Sequence, residues 1–97
     1  MRIYEDSSLN KEVALLDFGI VPAGSIKKFT FYVYNESNAY YKDLKFTVEH
    51  PEVVVIKAPL ELKSRETKKI IFEWKPSVTV KEGLKAQIRV QGIELWG

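Results

Sequence analysis

The chain has 97 residues, about one domain's worth, enough for a single modest core. It contains no cysteine, which excludes a disulfide framework, a thiolate zinc site and a thiol nucleophile, and fits a reducing interior. Fifteen basic against thirteen acidic residues leave a net charge of +2, ordinary for solubility and too small for a dedicated polyanion binder.

In chain order, the opening Met1 to Asp6 carries two acids and lacks the apolar stretch of a secretory signal. No window approaches the roughly 18 apolar residues of a membrane span, so no membrane partner is expected. The expected location is the cytoplasm or a virion. Ile3–Tyr4 offers the start of one strand, and KEVALLDF (11–18) reads as another. That strand ends at Asp17-Phe18-Gly19, Ile20-Val21 cross over, and Pro22-Ala23-Gly24 turns the chain back. A positive φ is expected at Gly19 or Gly24.

IKKFTFYVYN (26–35) alternates, with Phe29, Phe31 and Val33 on one face and Lys28, Thr30, Tyr32 and Tyr34 on the other. After an Asn35-Glu36-Ser37-Asn38 turn, KDLKFTVEH (42–50) sets Leu44, Phe46 and Val48 against Lys45, Thr47 and Glu49. EVVVIKAP (52–59) is a nearly continuous apolar run, which predicts a strand covered on both sides. KKIIFEWKP (68–76) places Ile70, Phe72 and Trp74 inward, and LKAQIRVQG (84–92) does the same with Leu84, Ala86, Ile88 and Val90. Beyond it, Ile93 and Leu95 fall out of phase. A bulge or strand switch is therefore expected at Gly92. No stretch sustains a helical period. Residues 1–97 therefore read as one all-β domain, an antiparallel sandwich of about seven strands.

Several of these residues form a family pattern. Leu16-Asp17-Phe18-Gly19-x-Val21-x-x-Gly24, then Phe31-x-Val33-x-Asn35-x-Ser37, Pro59-x-x-Leu62 and Ile88-x-Val90-x-Gly92 resemble an ASH (abnormal-spindle and hydin) domain. That family is similar to the major sperm protein and pilus-chaperone sandwiches, so the resemblance implies immunoglobulin-like topology. The pattern consists of structural residues and names no chemistry. ASH domains usually occur in arrays within cytoskeletal or ciliary proteins. In its overall format, the short chain also resembles solitary immunoglobulin-like proteins of phage particles.

Candidate chemistry is sparse. His50 is the only histidine and precedes Pro51 in a turn, with no nucleophile constellation around it, so it reads as a turn residue. GIVPAGSI (19–26) spaces its glycines like a phosphate loop but lacks the following Lys-Ser/Thr and a helix. Glu5-Asp6 and Glu49 with Glu52 lack the pattern of a calcium loop. Lys27-Lys28, Lys63-x-Arg65 and Lys68-Lys69 are interleaved with acids and read as a solvated sheet face. No catalytic residue, metal ligand, cofactor or nucleic-acid partner is expected.

Tyr32, Tyr34, Tyr40 and Tyr41 are the candidate partner-binding residues. The first two face outward by parity, and the turn at 35–38 brings the other two towards the same end. Aromatic residues with a polar tip are enriched at interface cores. The expected role is a non-enzymatic structural module contacting a protein surface, favoured as a capsid or tail decoration protein of a phage particle. An ASH-type adaptor and a carbohydrate-binding accessory domain are the alternatives, and self-association stays open.

Overall fold

The computed structural model describes residues 1–96 and contains no helix among them. Eight strands are present: β1 (Arg2–Tyr4), β2 (Leu16–Gly19), β3 (Lys27–Tyr34), β4 (Tyr40–Val48), β5 (Val53–Lys57), β6 (Thr67–Trp74), β7 (Leu84–Ala86) and β8 (Ile88–Leu95). Every pairing is antiparallel. One layer is a four-stranded sheet in the order β1-β3-β6-β5, and the other is built from the pairs β2-β7 and β4-β8. Only Gln87 separates β7 from β8, so the last long run splits in two and raises the strand count by one.

Alternation places the core. On β3 and β6, the registers Val33↔Lys68 and Phe31↔Ile70 align the inward rows, and Val33, Ile70, Phe72 and Trp74 are fully buried. Leu44 and Phe46 come from the opposite layer into the same cluster, as does Leu16. Phe31, Phe46, Phe72 and Trp74 are all buried, as their parity requires. Phe18 is buried among the aromatic residues of one half of the β3–β6 ladder: its ring packs edge-on against Phe29 at 4.8 Å, Phe31 and Phe72 at 6.0 Å and Trp74 at 6.3 Å. Edge-to-face contacts at such distances suit the ring quadrupole.

Both glycines of the opening turn have positive φ, 63° at Gly19 and 81° at Gly24. The Asp17 carboxylate accepts the Gly19 N–H at 2.9 Å and fixes the first bend. The chain crosses between layers where the sequence suggests, within residues 20–26 between β2 and β3, and it also crosses once earlier, within residues 5–15 between β1 and β2. Only Leu16–Gly19 of the predicted 11–18 strand pairs along its length.

Two expectations fail. β5 is an edge strand, not a covered one: Val53 is buried and Val55 half-buried, while Val54 and Ile56 are 59% and 46% exposed. Its continuous apolar run therefore conceals an ordinary in–out alternation. The irregularity opposite Gly92 lies on β4. Lys42 pairs with Ile93 and Lys45 with Gln91, so Asp43 and Leu44 together oppose Gly92. Asp43 has φ 52°, a left-handed conformation that Asp tolerates better than most residues and that bulges use. β8 itself runs regularly, and Ile93 and Leu95 stay on the outer face.

Candidate functional site

The sandwich separates the four candidate tyrosines. Phe31 and Val33 face the core, so Tyr32 and Tyr34 lie on the outer face of the four-stranded sheet. There Tyr32 stands between Tyr4 and Lys69, and Tyr34 between Arg2 and Thr67. Tyr41 packs against the core of the other layer, which turns its neighbour Tyr40 to that layer's outer face. Tyr32 and Tyr34 thus look out of one side of the domain and Tyr40 out of the other. A single four-tyrosine platform does not form.

The outer face of β4–β8 instead gathers apolar groups around Tyr40. Tyr40 pairs with Leu95 and Lys42 with Ile93, and directly paired residues share a face. Ile93 and Leu95 are 47% and 44% exposed, and Trp96 beyond them is 66% exposed. Tyr40 donates its hydroxyl to the Glu61 carboxylate, which raises its pKa above the ordinary tyrosine value. Sequence parity missed this surface because the phase break in the last strand invited a bulge there. The matching signal was in YYKDLKFTV, where inward parity also changes between Tyr41 and Leu44.

The approach to this face is set by a buried knot. Asn35 is fully buried, and its amide nitrogen donates to the carbonyls of Ala39 (2.7 Å), Lys63 (3.0 Å) and Leu62 (3.3 Å). Its side-chain oxygen accepts from the Ser37 hydroxyl at 2.6 Å and the Ser37 N–H at 3.0 Å. The Asn-x-Ser spacing thus clamps the β3–β4 turn to residues 62–63. Leu62 in turn exchanges backbone bonds with Tyr41, at 2.8 and 3.0 Å. Position 35 reads as a turn in the sequence; its role depends on a segment 27 residues away.

Other polar groups have structural partners. His50 is half-buried, accepts the Glu52 N–H on Nδ1 at 3.2 Å, and packs its ring edge-on to Trp74. Glu52 accepts from Ser77, and those hydrogen bonds hold its carboxyl below the usual range. Lys57, Ala58, Pro59, Lys68 and Lys69 line an open cleft of about 320 Å³. Its charged groups are lysines alone, an arrangement that attracts anions and supplies no acid–base pair. Among the described residues, no three His, Asp or Glu side chains converge as metal ligands. Comparison with family models, with curated proteins and with solved structures gives no match.

Proposed function

We propose that this chain is a non-enzymatic structural module that attaches to the surface of a larger protein assembly, as a small decoration protein of a phage capsid or tail. The observation that carries the reading is the strip Tyr40, Ile93 and Leu95 on one outer face, with Trp96 exposed just beyond its end. An exposed aromatic and aliphatic group presented by a rigid sheet has the composition of an interface anchor. A small rigid domain suits a repeated lattice, where many weak contacts add through avidity.

Topology supports an immunoglobulin-like assignment. The sheet order β1-β3-β6-β5 follows the A-B-E-D order of that fold, and β4–β8 corresponds to its C–F pair. The ASH-type adaptor reading draws on the Asn35–Ser37 clamp, which gives the resemblance at those positions a structural meaning. Cell fractionation separates the two. The decoration reading expects the chain to band with particles on a density gradient, and Ile93→Ser with Trp96→Ala to release it. Lys28→Ser, on the opposite outer face, should leave banding unchanged. A chain that never bands with particles, or variants that band normally, would overturn it.

A further inference from the structure

We propose that two copies of this chain join edge to edge through β8, antiparallel about a twofold axis, forming one continuous sheet β4-β8-β8-β4. The inference goes beyond the attachment reading, since it concerns a backbone edge and a second copy, not the outer side-chain face.

Backbone phase identifies the edge. Glu49 donates its N–H to the Gln87 carbonyl at 2.9 Å, while Tyr41 and Leu44 turn their backbone groups to Leu62 and Leu60 on the far side of β4. In an antiparallel ladder, alternate residues address alternate edges. Arg89, Gln91, Ile93 and Leu95 therefore address β4, and Ile88, Val90, Gly92 and Glu94 address the other side. Ala86 has that same outward phase and is used by Leu16 of β2. Beyond Ala86, β8 has no strand on this edge among the described residues.

Proteins blunt free edges with short strands, lysine, proline or bulges. β1 has three residues, and the ladder of β5 is irregular between Val55 and Lys57, with Pro59 just beyond. β8 has eight residues, carries neither lysine nor proline, and is itself free of bulges. Val90 shares the core face with Phe46 yet is 36% exposed, which marks incomplete cover on this side.

Charge favours the antiparallel over the parallel orientation of two copies. Arg89 near one end of β8 and Glu94 near the other are its only charged residues. Antiparallel pairing of two such strands keeps the two Arg89 side chains apart, and likewise the two Glu94 side chains, whereas parallel pairing would set like charges side by side on one face. The twofold also places Ile93 and Leu95 of both copies on the same outer face, extending the apolar strip across the junction.

The test is sedimentation equilibrium of the wild-type chain over a hundredfold concentration range, with amide hydrogen exchange at both ends of that range. The expected result is a monomer–dimer equilibrium in which amides 88, 90, 92 and 94 become protected in the dimer. Amides 89, 91 and 93 should be protected throughout. Val90→Pro removes an N–H that the monomer does not use, a position where edge strands tolerate proline. This variant should keep its far-UV spectrum and lose the dimer. A wild-type monomer throughout, or a dimer that leaves the even-numbered amides unprotected, overturns the proposal. A dimer that survives in folded Val90→Pro does the same. None of these outcomes depends on particle attachment, which the gradient experiment reads separately.

Discussion

Replacing Asn35 by aspartate changes one buried atom and should cost a large part of a small domain's stability. The amide nitrogen donates to three carbonyls, two of them at the good distances of 2.7 and 3.0 Å. Aspartate puts an oxygen there, so those carbonyls lose their donor and face a like partial charge. Each well-formed bond lost inside the protein costs about 1–3 kcal/mol. A buried carboxylate left without a counter-charge brings the total to roughly 3–5 kcal/mol, within the range for breaking buried ionic or polar pairs. Typical domains have only about 5–15 kcal/mol to lose.

The pH dependence gives this prediction a second handle. Burial among carbonyls raises the carboxyl's pKa in the folded state above its unfolded value of about 3.9. The penalty is therefore fully present above the folded pKa, fades as the pH falls from the folded pKa to the unfolded one, and reaches its minimum below the unfolded value. The protonated acid recovers one O–H donor. Urea denaturation of Asn35→Asp and wild type, at neutral pH and in acid, should show a large gap that narrows on acidification. A neutral-pH gap within about 0.5 kcal/mol, the range of a surface substitution, would refute the knot. A gap indifferent to pH would refute the electrostatic part.

Phe72→Ala removes a fully buried ring that packs against Phe18 and Phe31, and should lower stability by roughly 3–5 kcal/mol in the same assay. Gly92→Ala would set a Cβ 2.8 Å from Leu44 Cδ2 and 3.2 Å from the Lys42 carbonyl, for an expected cost of about 1–3 kcal/mol. Pairing it with Leu44→Ala should cost less than the sum of the two single changes, measured as a double-mutant cycle. Hydrogen bonds from Ser77 depress the Glu52 pKa, so its contribution is present above the ordinary glutamate pKa and lost as the pH falls through the depressed one. Glu52→Gln should therefore destabilise slightly at neutral pH and not at all in strong acid, and carboxyl NMR titration should show the downward shift directly.

Local pattern carried much of the fold. Strict alternation in β3, β4 and β6 is imposed by burial on one face, so the core rows were legible wherever a strand runs straight. Legibility ended where pairing partners decide. β5 reads as buried because three valines and an isoleucine are consecutive, yet its place at a sheet edge is a long-range fact. The tyrosines read as one patch because chain proximity resembles spatial proximity, and a turn between two layers sends them to opposite faces. The β8 surface was hidden by a correct observation with two solutions. A phase break opposite Gly92 can be relieved on either strand, and only the partner's Asp43, with its positive φ, shows which.

An open edge on β8 is compatible with a well-held core because the strand beside it is held independently. β4 carries Leu44 and Phe46 into the core and is gripped on its far side by Leu60 and Leu62. Leu62 is fixed by its bonds to Tyr41 and by Asn35, which links it to the β3–β4 turn. β8 therefore pairs with a β4 that is also held on its far side, and most of its own residues are exposed. The demands on the two elements differ accordingly. Burial and hydrogen bonding fix the residues of the clamp, whereas the outer face of β8 is exposed and neither condition fixes it. Substitutions there should spare stability and alter association, which is the physical meaning of a contact surface.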